Sequence, residues 1–240
     1  MSLSLLVLLA VIIGAGAGLQ RLTGMGFALV ASPFLVLTLG AVEGVLVTNL
    51  CGIVSSLLNL MLVHRDVEWR RILRFTPFSL VGIALGAFVL QVLPVDPLAV
   101  LVGVTVLLAI GGTVFLGSRR IDDSLPVSAG FGAASGFMNV TAGVGGPAMA
   151  VYAVAIHWEH RYFAASAQAH FGVISIVSLM AKWALPPIGI TGWAVAISAI
   201  LAGTFVGQRL AGRFSGRAMM RLVIALATAG ALVTIVQAIA

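Results

Sequence analysis

The stretch Gly132-Ala-Ala-Ser-Gly136-Phe-Met-Asn139-Val-Thr141-Ala142-Gly143-Val-Gly145-Gly146-Pro147 lies in apolar sequence but does not read as part of one uninterrupted membrane helix. The apolar segments that meet in it, Val127 to Val140 and Gly143 to Ile156, have about 14 residues each, against the roughly 17 to 25 that a full span requires. Backbone that leaves the helix at membrane depth must be buried in protein or face water, because lipid cannot satisfy its N–H and C=O groups. The stretch is therefore expected to form a broken, re-entrant-like helix hairpin, and such breaks mark candidate sites.

A second copy opens the chain. Gly14-Ala-Gly-Ala-Gly18-Leu-Gln20-Arg21-Leu-Thr23 matches Gly132 to Thr141 at one offset, and Gly24-Met-Gly26 matches Gly143-Val-Gly145 one residue later. Downstream, Gly52-Ile-Val-Ser55 answers Gly172-Val-Ile-Ser175, Trp69 answers Trp193, and Gly82 with Gly86 answers Gly203 with Gly207. The features recur in the same order, which predicts a five-segment repeat over residues 1–120 and 121–240 within one transmembrane domain. Breaks at charge, proline and tryptophan give ten apolar segments. In the first half they run Leu3 to Leu19, Gly24 to Gly40, Val42 to Val63, Ile72 to Leu93 and Leu98 to Leu116. In the second they run Val127 to Val140, Gly143 to Ile156, Tyr162 to Leu185, Thr191 to Gln208 and Leu222 to Ile239. The run from Leu3 to Ile13 resembles a secretory signal, but it lacks a basic n-region and belongs to the repeat, so it is read as structure.

Composition agrees with a bilayer as solvent. Of 240 residues, 61% are hydrophobic and only 8% charged, against roughly 25% charged in soluble domains, and mean hydropathy is +1.18. The net charge of +6 is confined to short gaps and forms no stripe, which excludes nucleic acid as a partner. Cys51 is the single cysteine, so one chain builds neither a disulfide framework nor a cysteine-rich metal site; no cofactor or metal is expected.

Cytoplasmic loops carry an excess of Lys and Arg. The basic gaps are His64 to Arg74, Arg119-Arg120, His160-Arg161, and Arg209, Arg213, Arg217 with Arg221, while Pro94 to Pro97 and Pro186 to Thr191 hold no Lys or Arg. All the basic gaps fall on one side if each glycine-broken pair returns to the face it left. The first pair then starts outside and the second inside. The expected fold is an all-α polytopic membrane protein of two inverted repeats, each a broken hairpin followed by three transmembrane helices, an organisation that places a substrate site between the repeats near the midplane. Trp69 and Trp158 are expected at the inner interface, Trp183 and Trp193 at the outer.

The glycine-rich opening of each half, together with Gly143-Val-Gly-Gly-Pro147, resembles the TauE/SafE (sulfite exporter, TSUP) family over essentially the whole chain. The resemblance implies an integral membrane permease that moves sulfite, organosulfonates or related sulfur-containing anions, mostly outward. The first copy departs from the family pattern: Gly24-Met-Gly26-Phe27 lacks the denser glycine run, and its proline comes late, at Pro33.

The residues themselves point to an anion. Helices broken within the membrane expose N-terminal N–H groups and a partial positive charge. One binding end is expected at Gly24 to Gly26 and the other at Gly143, Gly145 and Gly146, with Thr23, Asn139 and Thr141 as side-chain donors. The bland reading is that the glycines only permit close helix packing, and for Gly14/Gly18, Gly82/Gly86 and Gly203/Gly207 that reading is preferred. Arg21 has no Asp or Glu within the first 42 residues; it either holds the anion in a bidentate manner or snorkels to water. Asn49, Gln168 and His170 line the path or sit as hydrogen-bonded interior groups, with His170 a candidate for proton coupling.

The expected function is secondary transport of a small anion by alternating access, in the cell membrane (the inner membrane in a bacterium), coupled to a proton or sodium ion, with oligomerisation left open. A passive anion channel is the nearest alternative. An intramembrane enzyme is not expected: His157-Trp-Glu-His160 lacks the i, i+4 histidine spacing of a zinc-protease helix, and no phosphate-cradling loop of an ATPase occurs.

Overall fold

A computed structural model describes residues 2–92, 121–184, 188–211 and 216–239, with isolated positions 100, 104, 107, 108, 111, 186 and 213. The expected Leu98 to Leu116 segment (save its isolated positions), the Pro94 to Pro97 gap and Arg119-Arg120 lie outside the described residues. Nine α-helices occur among them: α1 (Leu3–Thr23), α2 (Gly26–Leu39), α3 (Ala41–Val63), α4 (Trp69–Val92), α5 (Leu125–Ala142), α6 (Gly146–Ala155), α7 (His160–Lys182), α8 (Gly189–Leu210) and α9 (Gly216–Ile239). Helices α1, α3, α4, α7 and α8 are long and apolar enough to cross a membrane. The chain is an all-helical, multi-pass membrane protein.

Both expected breaks exist, and they share one geometry. Helix α1 ends at Gly24 with φ +84°, its N–H donating to the Gln20 carbonyl at 2.7 Å. Helix α5 ends at Gly143 with φ +72°, its N–H donating to the Asn139 carbonyl at 2.8 Å. These are left-handed caps that only glycine adopts without strain. One expectation is corrected here. The polar run Gln20 to Thr23 separates two apolar segments in sequence, yet it forms the last turn of α1, since Gln20 bonds Gln168 and Ser55 in the interior and Arg21 bonds Gln208 at the surface. After the breaks, α2 and α6 have 14 and 10 residues, too few to span.

With lipid on one side and protein on the other, helices gain little from apolar burial against each other and associate through close packing of small residues. Successive contacts advance together along α1 and α8: Gly14 meets Ala199, and Gly18 meets Gly203. The same happens along α4 and α5, where Gly132 meets Phe75 and Gly136 meets Ser79. Each pair therefore runs parallel with backbones in direct contact. A Cβ at Gly203 would lie 2.1 Å from the Gly14 carbonyl, and one at Gly82 would lie 1.9 Å from that of Ala133. Glycines that answer one another in sequence thus sit in two separate interfaces, each joining a helix of the first half to one of the second. Between those interfaces α3 and α7 cross antiparallel, Gly52 beside Ser175 and Gly172 beside Ser56.

Two apolar clusters flank this crossing. Leu9, Ile13, Ala31, Leu35, Val47 and Ile200 join α1, α2, α3 and α8, and Phe75, Met149, Tyr152, Phe163 and Ala167 join α4, α6 and α7. Trp158 belongs to the second cluster and is only 7% exposed. The Arg71 guanidinium covers its ring at 4.9 Å, a contact favoured where the cation is partly desolvated, so Trp158 packs into the protein at the Arg-rich end. Trp69 and Trp183 are exposed, as expected of belt residues.

Candidate functional site

A small cavity of about 30 Å³ lies between the two breaks, room for one or two waters. The first turn of α2 (Phe27, Ala28, Leu29) and the start of α6 (Gly145, Gly146) both line it. Neither helix start carries a side-chain cap, so N–H groups that normally demand a partner are left free at one place. Pro147 in the first turn of α6 fixes a helical φ without costing a helix hydrogen bond. Thr48, Gly52, Ser56, Phe171 and Ser175 from α3 and α7 close the cavity, with Gln20, Asn139 and Gly143 at the ends of α1 and α5. No described lining residue is charged.

Amide side chains hold both breaks in place. Gln20 Nε2 donates to Gln168 Oε1 at 2.7 Å, Ser55 Oγ donates to Gln20 Oε1 at 2.6 Å, and Gln168 Nε2 donates to the Gly24 carbonyl at 2.7 Å. Across the cavity, Asn139 Nδ2 donates to Asn49 Oδ1 at 3.0 Å and to Ser178 Oγ at 2.9 Å. Ser32 on α2 donates to the Ala142 carbonyl, linking one broken pair to the other. Each such bond between membrane helices contributes about 0.6 to 2 kcal/mol, and together they set the half-helices at a fixed angle to the cavity.

The sequence-derived residues divide into three groups. Asn139, Gly143, Gly145 and Gly146 line the cavity. Gly24, Gly26, Asn49 and Gln168 build its frame: Gly24 caps α1, Gly26 opens α2, and the two amides bond the breaks. Thr23, Thr141, His170 and Arg21 lie off it. Thr23 donates to the Leu19 carbonyl, and Thr141 to that of Phe137. His170 is bonded on both ring nitrogens, to Thr76 Oγ1 at 2.9 Å and Ser135 Oγ at 3.0 Å. Because Ser135 gives its own proton to the Gly145 carbonyl at 2.8 Å, it accepts from His170 Nε2–H, which fixes the tautomer. Arg21 Nε donates to Gln208 Oε1 on α8 at 2.5 Å, outside the cavity lining. An uncharged glutamine in the other half of the chain is not a partner that local sequence reveals.

Ser56, Ser175 and Gln20 were missed as lining groups. Of the two Gly-x-x-Ser matches, the one on α7 ends on the lining residue Ser175, whereas the one on α3 ends on Ser55, which bonds Gln20, one residue short of Ser56.

The two ends of the molecule differ. At the Arg-rich end, Arg161 holds Asp66 through bonds of 2.9 and 2.7 Å. Asp123 there accepts from the Tyr152 hydroxyl at 2.6 Å and pairs with Arg71 at 3.5 Å and Arg74 at 3.7 Å. At the opposite end a vestibule of about 280 Å³ runs between Val42, Leu90 and Lys182 down to Thr141, two residues short of the Gly143 break. All the ion pairs among the described residues are at the Arg-rich end. Among those residues no cluster of His, Cys, Asp or Glu could hold a metal ion.

A multi-pass helical protein with paired half-helices around a cavity between its long helices has the architecture of a membrane permease. The family model described as sulfite exporter TauE/SafE matches residues 8–234, and the chain belongs to that family of membrane anion transporters. Comparison with curated proteins and with solved structures finds no match.

Proposed function

We propose that this protein is a secondary transporter, working as an exporter, of sulfite, an organosulfonate or a related sulfur-containing anion. The observation that carries the reading is the meeting of two helix N-termini without side-chain caps at one cavity between the halves, lined by uncharged residues. Helix starts attract anions through free N–H groups and the helix dipole without a titratable ligand. The family membership supplies the sulfur chemistry.

Alternating access of two inverted repeats, residues 1–120 and 121–240, is the proposed mechanism. The exchange of matched glycines between the α1–α8 and α4–α5 interfaces, with α3 crossing α7 antiparallel, supports it. With the Arg-rich end cytoplasmic and the protein in the cell membrane, the ion-paired end is the shut one and the vestibule opens outward. A cavity of about 30 Å³ is too small for a sulfonate, so it must widen to load, which favours a carrier over an open channel.

The test is flux of labelled sulfite, methanesulfonate and acetate in proteoliposomes, with and without an opposing gradient. Sulfur anions should move and acetate should not; flux of none of them, or of all equally, rejects the reading. Arg21→Gln is expected to change that flux by less than about threefold, under 1 kcal/mol in transition-state terms, because its guanidinium faces Gln208. A loss of about a hundredfold would restore Arg21 to the site.

A further inference from the structure

Ser56 on α3 and Ser175 on α7 sit in the cavity wall, each opposite the mid-helix glycine of the facing helix, and are only 1% and 5% exposed. A helical serine ordinarily returns its proton to a carbonyl one turn back, as the Thr48 hydroxyl does to Gly44. Neither Ser56 nor Ser175 does so, and neither hydroxyl has a hydrogen-bond partner among the described residues. Neither hydroxyl is among the fully enclosed unpaired atoms of the described residues, Trp158 Nε1 and Thr204 Oγ1, so both are open to the cavity and available to whatever occupies it. Two of them in one wall, beside two uncapped helix starts, make a set of donors without an acceptor.

The charge of the acceptor follows from what surrounds it. On α1, Arg21 is taken by Gln208; on α3, Cys51 is buried in an apolar cluster; on α7, His170 is held between Thr76 of α4 and Ser135 of α5. Helices α2 and α5 contain no ionisable residue, and Tyr152 of α6 is bonded to Asp123 at the Arg-rich end. Each helix N-terminus presents about half a positive charge, so the two together balance one negative charge. A second would be left uncompensated in a small cavity away from bulk water, which strongly disfavours it.

Resting on the anion-transport reading above, we infer that the cavity selects singly charged sulfur oxyanions, organosulfonates and hydrogensulfite, against the dianions sulfite and sulfate, with Ser56 and Ser175 donating to the substrate oxygens. Hydrogensulfite gives up its last proton near neutral pH, whereas a sulfonate stays a monoanion throughout. The sulfonate therefore reports any titration of the protein itself, His170 included.

The experiment is proteoliposome flux of labelled sulfite, methanesulfonate and sulfate from about pH 6 to about pH 9. Methanesulfonate flux should hold within about twofold, while sulfite flux falls about tenfold for each pH unit above the loss of its proton, as the monoanion fraction does. Sulfate should not move. The Ser56→Ala, Ser175→Ala double variant should melt with the parent and lose at least about tenfold in methanesulfonate flux, the loss of one good hydrogen bond to a charged group. Sulfite flux independent of pH, sulfate carried like the sulfonate, or parental flux in the double variant overturns the inference while leaving anion transport standing. Absence of flux for all three anions overturns both.

Discussion

Gly136→Ala should leave almost no folded protein. A Cβ at Gly136 would stand 1.9 Å from the Ser79 carbonyl oxygen and 2.8 Å from its Cα, and backbone, unlike a flexible side chain, cannot swing aside. Relief requires α4 and α5 to separate along an interface where a Cβ at Gly82 would lie 1.9 Å from the Ala133 carbonyl oxygen and one at Gly132 2.5 Å from that of Phe75. Overpacking ordinarily costs about 1 to 3 kcal/mol; here one methyl group also opens neighbouring contacts, so about 3 kcal/mol is the lower bound. The control is Gly130→Ala on the same helix, where an added Cβ meets nothing within 4 Å. That change should be neutral or stabilising by about 0.5 to 1 kcal/mol, because alanine loses less backbone freedom than glycine in a helix. Yield of monodisperse protein and the melting temperature in detergent measure both. A Gly136→Ala protein that melts with the parent would show that the α4–α5 backbones are not in contact.

Gly52→Leu should do the opposite, keeping the fold and abolishing transport. Gly52 lies mid-way along α3, and a Cβ there meets only Ser175 Oγ, at an ordinary 3.4 Å. Replacing a helix-interior glycine gains about 0.5 to 1 kcal/mol of helix preference. The rest of the leucine side chain has nowhere to lie except the cavity, whose 30 Å³ it exceeds. Anion flux is expected to fall at least about a hundredfold, nearly 3 kcal/mol in transition-state terms, in a protein that still folds, its melting temperature at or moderately below the parent's because overfilling the cavity costs about 1 to 3 kcal/mol against that helix gain. Parental flux in a folded Gly52→Leu protein would place the permeation path elsewhere.

Much of this architecture is legible in the sequence. The break at Gly143 was legible because two apolar runs were too short to span, and the break at Gly24 because the repeat carried it over. Their left-handed caps follow from glycine at both positions. The helix boundary before Gly24 was misplaced because polar residues were taken to mean a gap. Gln20 is polar because it bonds Gln168 and Ser55 in the interior, a long-range pairing no local pattern reveals. Arg21 stood out as an unpaired cation only because its partner, Gln208, is uncharged and distant in sequence. Asn139 and the Gly143 to Gly146 run were found by their position at a break. Ser56 and Ser175 were overlooked because serine in a glycine-rich helix reads as a packing residue, and only their missing partners mark them.

The central claim is that the anion occupies the cavity between the two breaks, and thiol protection tests it most directly. In a Cys51→Ser background, Ser175→Cys places one cysteine in the cavity wall and Ala184→Cys places one at the vestibule mouth. Both are reacted with a small neutral thiol reagent, with and without saturating methanesulfonate. Methanesulfonate should slow labelling of the Ser175→Cys protein by at least about tenfold, the occupancy expected near ten times the dissociation constant, and leave the Ala184→Cys protein unchanged. Equal labelling of the Ser175→Cys protein with and without the anion would contradict the account.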